Sequence, residues 1–406
     1  MEYPVISLFS GAMGLDLGLE AAGCDIKVGQ DYDVSCAKTA VANGRRYVHG
    51  DIQQLLLDDP DADFLLRSAG LAREEVFAVV GGPPCQPFST AGKRGATNDP
   101  RGSLFMQFCQ VVQKLQPRFF VMENVKGLLS AALQHRRIAD RSRFPLSPDE
   151  RPGSALRVVQ QAFDDLGYKT VYGVLDAVYY GVPQFRERLI ILGSRDGEDL
   201  FLPEPTHFSH HQNPSYRWNT LRAAIEDLQD QPGPGAAFSA EQSKYLQLVP
   251  MGGYWKDLPD EVIPMAMGGA FSSGGGKVGF FRRLDYDQPS PTLVTSPNQK
   301  ATMLCHPVYT RPLSVREYAR IQQFPSSWEI EGSVSDSYRQ IGNAVPIGLG
   351  QAIGQTLIAI ASGGASIQTK RMRGTSAHTH VLKHPSTPKP VVAKPVHDVE
   401  ALTLWG

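Results

Sequence analysis

The apolar run Val76-Phe77-Ala78-Val79-Val80 stops abruptly at Gly81-Gly82-Pro83-Pro84-Cys85-Gln86-Pro87-Phe88-Ser89, and no other stretch constrains the chain as tightly. Consecutive apolar residues bounded by turn formers read as a strand buried on both faces, as in a parallel sheet. Gly-Gly-Pro-Pro cannot continue that strand, because the prolines donate no hydrogen bond and the glycines offer nothing to pack. A lone thiol is thereby set on a rigid loop at the carboxyl end of a strand, where open α/β sheets bind their ligands. Free cysteines are commonly small buried hydrophobes. Two Gly, three Pro, a Gln and a Ser make a poor core, however, so Cys85 reads as a nucleophile positioned for attack.

Short apolar runs alternate with helical stretches through residues 1–195, the pattern of a doubly wound, mostly parallel α/β sheet. The expected strands are Val5–Phe9, Ile26–Gly29, Tyr47–Val48, Val76–Val80, Phe119–Met122 and Leu189–Leu192, with helices such as Leu15–Ala22, Leu104–Lys114 and Leu156–Leu166 between them. From 196 Pro, Gly, Ser and aromatic residues dominate and the alternation is lost. This predicts a second, smaller domain over 196–337, rich in loops and short strands. Helices return at Leu313–Ile321, with Ser314 as its N-cap, and at about Gly348–Ala361, so that 338–362 would complete the first domain. The tail 363–406 carries six Lys or Arg before its first acid, Asp398, with few large apolar residues, and is expected to be disordered.

At 406 residues, 42% hydrophobic and 20% charged, the chain has room for two or three domains of globular composition. No stretch is read as a membrane span and the start is no signal peptide, so a cytoplasmic protein is expected. Five scattered cysteines without a CxxC pair argue against a disulfide framework or structural zinc. His207, His210 and His211 lack Cys or acidic partners at ligand spacing, so no metal is expected. The net charge of −1 is unevenly spread: 196–265 hold eleven acidic and four basic residues, 267–320 seven basic and three acidic. Basic segments on a neutral chain suit binding of a polyanion on one face, although any single Arg is more often a solvated surface group.

Several motifs converge on the carboxyl edge of the expected sheet. Phe9-Ser10-Gly11-Ala12-Met13-Gly14 links strand to helix, with a glycine spacing unlike the dinucleotide fingerprint G-x-G-x-x-G. Acids follow the next two strands at Asp31 and Asp51, and together with the glycine turn they read as a nucleoside site. Glu123 ends a strand expected beside Cys85. Gln184, Arg186 and Arg188 alternate in extended chain and so share a face, suited to a carbonyl or phosphate. Gly274-Gly275-Gly276-Lys277 fails as a phosphate loop because Phe271 and Val278 stand where Gly and Ser or Thr are required.

In order, Phe9–Gly14, Asp31-Tyr32, Asp51-Ile52, Gly82–Ser89, Glu123-Asn124-Val125, Gln184–Arg188, Arg311–Pro325 and Gln340–Pro346 resemble the motifs of the DNA (cytosine-5) methyltransferases. The resemblance covers roughly residues 3–360 outside a variable stretch near 196–290, and its one departure is Met13, where the family usually has Gly. It implies an S-adenosylmethionine-dependent methyltransferase fold with a target-recognition domain, acting on cytosine in a specific double-stranded DNA sequence. By that resemblance Cys85 would add to carbon 6 of a flipped-out cytosine, Glu123 would hold or protonate ring nitrogen 3, and Arg188 would bind the base carbonyl with Arg186 in support. The cofactor, S-adenosylmethionine, would sit on Phe9, Ser10, Gly11, Gly14, Asp31, Tyr32, Asp51, Ile52, Pro84, Asn343 and Ala344. DNA would meet Gln86, Ser89, Lys277, Arg282, Arg283 and Thr292. A monomer is expected, and a restriction endonuclease specific for the same site would be a natural companion. The tRNA-methylating branch of the family is a weaker reading, since it has little need of a large variable region. A silent DNA-binding regulator would not keep Cys85, Glu123 and Arg188 together, and a dehydrogenase fails on the glycine spacing.

Overall fold

A computed structural model describes residues 2–84, 104–134, 136, 145–209, 215, 217–274, 276–364 and 380–381. Its centre is one mixed sheet of β1 (Pro4–Leu8), β2 (Asp25–Asp31), β3 (Tyr47–His49), β4 (Ala78–Gly81), β5 (Phe119–Val125), β6 (Lys169–Asp176), β7 (Glu187–Ser194) and β8 (His380–Val381). The strands lie in the order β3-β2-β1-β4-β5-β7-β6-β8. β7 runs antiparallel between β5 and β6, while the β3-β2-β1-β4-β5 pairings are parallel. All six expected strands are present. β6 went unread in the sequence because Lys169 and Thr170 open it and Gly173 interrupts it, leaving no continuous apolar run; only its second half, Gly173–Asp176, is buried.

The alternation of strand residues builds two cores. Ile6, Leu8, Val79, Phe120 and Met122 point to one face, under α3 (Ile52–Asp58), α4 (Asp63–Ala69), α5 (Leu104–Leu115) and α6 (Ser154–Asp165). Val5, Val80, Phe119 and Val121 point to the other, under α1 (Gly14–Ala21) and the last helix, α12 (Ile347–Ala361). The smaller helix α2 (Val34–Ala42) begins at Asp33, whose side chain accepts from the Ser35 amide. Gly14 lets α1 approach the chain that enters α12: a Cβ there would lie 2.3 Å from the carbonyl oxygen of Val345. The C-terminal segment therefore closes the first domain by backbone contact.

Between β7 and the last helices the expected short strands are reduced, among the described residues, to isolated bridges: Gln184 with Ser290, Phe208 with Arg217, Arg283 with Cys305 and Cys305 with Pro312. Short helices stand instead: α7 (Leu221–Ile225), α8 (Ala240–Leu246), α9 (Ile263–Met267) and α10 (Val315–Ile321). Two apolar clusters organise this region, one around Leu284, Leu304, Tyr318 and Ile321, the other around Tyr245, Met267, Phe281 and Met303. Ser314 caps α10 as expected, in a reciprocal box with Glu317. A further helix, α11 (Val334–Asn343), starts at the Ser333 cap and carries the Gln-x-Gly-Asn motif, so a boundary at 337 would cut through it.

Two expectations need correction here. The segment Val334–Ala361 does reach the length and apolarity of a membrane span, but it is α11 and α12 broken at Pro346, and 56% of its most apolar window is buried inside the protein. Within the tail, His380–Val381 pair in parallel with Gly173–Val174 of β6, so these two residues are not structureless.

Candidate active site

The chain leaves β1 to build β2 and β3 on one side, then returns to build β4 and β5 on the other. The reversal opens a crevice at the carboxyl ends of β1 and β4, where ligands bind open α/β sheets. A cavity of about 520 Å³ occupies it, lined by Phe9, Ser10 and Gly11 after β1, Asp31–Asp33 after β2, Gly81–Pro84 after β4 and Glu123–Val125 at the end of β5. Thr292–Thr295 of the second region and Gly342–Val345 of the C-terminal segment close it.

Its nucleoside-like end is held by backbone donors. Asp31 is buried, and its Oδ2 accepts from the Gly11 amide at 3.1 Å while Oδ1 accepts from the Asp33 amide at 2.9 Å. Burial raises its pKa and those amides oppose the rise. A carboxylate has about four acceptor sites, so it can still accept from a ligand in the cavity it lines. Tyr32 beside it is 69% exposed, an aromatic face free to stack.

At the other end the antiparallel register places Val125 opposite Arg188, which makes Glu123 and Arg188 diagonal neighbours on one face of the sheet. Arg188 Nε lies 2.7 Å from Glu123 Oε1, with each side chain 13% exposed. Burial raises the Glu123 pKa, and Arg188 and then Arg186 pull it back. Glu123 can therefore hold a proton more readily than a surface glutamate. Gly82 makes room for it, since a Cβ there would sit 2.7 Å from Glu123 Oε2. The Asn124 side-chain amide donates to the Pro83 carbonyl at 3.0 Å and ties the Gly-Pro-Pro turn to β5.

Arg186 is 1% exposed and works as a clamp. Its Nη1 donates to the Leu293 carbonyl at 3.1 Å, and its Nη2 to Gly342 and Asn343 at 2.8 and 3.2 Å. One guanidinium thus joins the β7 approach, the Thr292-Leu293 pair and the Gln-x-Gly-Asn motif. Gln184, expected on the same functional face, is buried instead, and its amide bridges Gln322 and the Leu293 amide.

Most of the expected site residues meet here: Phe9, Ser10, Gly11, Asp31, Tyr32, Pro84, Glu123, Arg186, Arg188, Thr292, Asn343 and Ala344 all line the cavity. Gly14 does not line it and acts at the α1–Val345 contact. Asp51 and Ile52 do not line it either; Asp51 caps α3 through the Gln53 amide, and Ile52 is core. Cys85, Gln86 and Ser89 lie outside the described residues, and Cys85 follows directly on Pro84 in the chain. Arg283 is a correction. It is buried, donating to the carbonyls of Leu246, Val249, His306 and Val308 and to the Thr310 hydroxyl, so it braces loops rather than facing DNA. Arg282 donates to the Met303 carbonyl, and burial draws its pKa to about 10. Lys277 lies on the glycine-rich loop with Nζ on the Phe271 carbonyl. Met13, the departure from the family's usual Gly, is buried at φ 65° and does not line the cavity.

The sequence reading missed Asp16, Asp33, Cys36 and Arg339, which also line the cavity. Arg339 reaches Asp33 Oδ2 at 2.8 Å. Nothing in a single sequence signals these, because each contact joins residues far apart in the chain.

Comparisons agree with this geometry. The family model described as C-5 cytosine-specific DNA methylase matches residues 3–359. The chain is 38% identical over 359 residues to the type II methyltransferase M.Sau96I of Staphylococcus aureus, covering 88% of this chain and 76% of that protein. It is 38% identical over 364 residues to M.Eco47II of Escherichia coli, covering 88% and 79%. A solved structure of a DNMT2 mutant from Spodoptera frugiperda shares the fold at a TM-score of 0.54 and 18% identity, covering 88% of this chain and all of that one. The sheet, the cavity and the match across nearly the whole described length lead to one conclusion: the chain belongs to the C-5 cytosine-specific DNA methylases.

Proposed function

We propose that the protein methylates carbon 5 of a flipped-out cytosine within a specific double-stranded DNA sequence, with the residues of this cavity in the following roles. Cys85, as thiolate, adds to carbon 6 of the base, and the ring electrons released make carbon 5 a nucleophile. Negative charge builds at ring nitrogen 3, where Glu123, whose carboxyl burial makes easier to protonate, donates or holds a hydrogen. Arg188 fixes the Glu123 carboxyl and offers its remaining N–H groups to the base carbonyl. Phe9, Ser10, Gly11, Asp31 and Tyr32 at one end and Asn343 and Ala344 at the other would hold S-adenosylmethionine. When bound there it supplies an electrophilic methyl group. Removal of the carbon 5 proton then lets the Cys85–carbon 6 bond break, returning the thiolate. Because the target atom is shielded inside a duplex, the base must leave the stack to reach the cavity.

The observation that carries this reading is the Glu123–Arg188 pair in one cavity with Pro84, the residue before Cys85, and with the Asp31 turn. The region 196–337 would read the DNA sequence. We further infer a cytoplasmic monomer that works alongside a restriction endonuclease of the same site, a reading that fits the type II methyltransferase names of its relatives. Transfer of a labelled methyl group to duplex DNA but not to tRNA, with Cys85→Ala inactive, is the expected result. A duplex carrying 5-fluorocytosine at the target should trap the wild-type protein covalently, since fluorine cannot leave as a proton does. Turnover by Cys85→Ala, or methyl transfer to tRNA alone, would refute the reading.

A further inference from the structure

Asp16 lies in the first turn of α1, 1% exposed, and lines the cavity together with Leu15 and the Gly342–Val345 strip. Neither of its carboxylate oxygens makes a hydrogen bond, although the Ser7 hydroxyl lies close enough to ease its burial. A buried carboxylate left without donors is expensive, and such groups in folded proteins normally have a partner in the working state. The protein's own cations do not serve. Arg188 is committed to Glu123, Arg339 to Asp33 and Asp336, and Arg186 to the carbonyls of Leu293, Gly342 and Asn343. The charges acting on Asp16 are Glu20 on its own helix and Arg45, which pair with each other, and Asp16 in turn acts on Tyr47 of β3.

We propose that Asp16 receives the α-ammonium group of the methionine part of S-adenosylmethionine. This rests on the methyltransferase reading and deepens it. The ligand brings two cationic centres, the sulfonium and the ammonium, but only the ammonium carries hydrogens that two unpaired oxygens can accept. The location agrees, for Asp16 lines the same cavity as Asn343 and Ala344, and Gly14, two residues before it on α1, packs against Ala344 and Val345.

Three ligands separate the possibilities: S-adenosylmethionine, S-adenosylhomocysteine, which keeps the ammonium but lacks the sulfonium charge, and 5′-methylthioadenosine, which lacks the amino-acid part. Isothermal titration of the full chain should show Asp16→Asn weakening the first two alike, by about 10- to 100-fold for a charge-assisted hydrogen bond. Binding of 5′-methylthioadenosine should be unchanged. Equal affinity of wild type and variant for the first two would overturn the proposal. So would weakening confined to S-adenosylmethionine, which would assign the carboxylate to the sulfonium. Failure of the wild type to bind any of the three would instead remove the methyltransferase reading itself. Should the variant lose 5′-methylthioadenosine as well, its fold is at fault, and the wild-type protein decides. Burial draws the Asp16 pKa up to about 7. At pH 6.5, where an α-amino group of pKa ~8 is already charged, seating the ammonium should expel a substantial fraction of a proton, read from titrations in buffers of different ionisation enthalpy. S-adenosylhomocysteine should release it too, and 5′-methylthioadenosine should not. No difference between them would overturn the proposal.

Discussion

Arg188 Nε stands 2.7 Å from Glu123 Oε1, on the diagonal of an antiparallel pairing that sets Glu123 opposite the buried Ile190 and Arg188 opposite the exposed Val125. The meeting of the two side chains is therefore set by the register of β7 along β5. Burial raises the Glu123 pKa while Arg188 and Arg186 restrain the rise. A carboxyl made easier to protonate is suited to exchange a hydrogen with ring nitrogen 3.

Glu123→Gln separates that proton chemistry from packing. Gln keeps the volume and a hydrogen-bonding end but cannot ionise. Single-turnover methylation should slow by ~10²–10⁴-fold, the contribution of a positioned acid–base group. Duplex affinity and the urea midpoint should stay close to wild type. An unchanged rate would make Glu123 structural.

Asp16 should give the protein a measurable pH dependence of stability. Its pKa is raised from 3.8 to about 7 by burial, so the folded chain binds a proton the unfolded chain has already released. Stability from this group is full below pH ~4 and is lost as pH rises through ~7, with an upper limit of roughly 4 kcal/mol. Asp16→Asn removes the titration. The variant should gain on wild type in chemical denaturation as pH goes from 5 to 8, without ligand. Parallel profiles for the two proteins would show that Asp16 titrates normally.

Arg283 and Lys277, both read from sequence as DNA contacts, should now behave differently. Arg283→Ala strips donors from the buried carbonyls of Leu246, Val249 and His306 and from the partly buried Val308 carbonyl and Thr310 hydroxyl. The loss should be roughly 3 kcal/mol or more of stability, seen as a lower urea midpoint. Lys277→Gln should leave stability alone and, if the lysine meets a phosphate, reduce the slope of log affinity against log salt by ~0.9. A stable Arg283→Ala protein with a reduced salt slope would reverse these assignments.

What the sequence disclosed depended on the range of the interaction. β4 was legible because its apolar run and the Gly-Gly-Pro-Pro break are local, and the α10 cap because Ser314 and Glu317 are three residues apart. Arg186 and Arg188 share a face by strand alternation alone, so their nearness to the cavity could be anticipated. Their partners could not, since Leu293 and Gly342 are more than a hundred residues away. Asp16 looked like an ordinary acid in the first turn of a helix, and only its burial and missing donors distinguish it. Arg283 misled because charge in a sequence says nothing of exposure.

Met13 poses a balance of two opposing terms. At φ 65° it occupies the left-handed region that a glycine adopts freely, where an ordinary side chain costs ~1–2 kcal/mol. Its side chain is also among the largest fully buried in the protein, and emptying such a site costs ~2–5 kcal/mol. Cavity formation should outweigh relief of strain, so Met13→Gly should lower stability by roughly 1–3 kcal/mol although it restores the residue usual in the family. Because Met13 does not line the cavity, affinity for S-adenosylmethionine should change less than threefold. Stability by urea denaturation and binding by calorimetry test the two halves separately. A stabilised variant would mean that backbone strain dominates at this turn, and a large gain in affinity would mean that the side chain does crowd the cofactor.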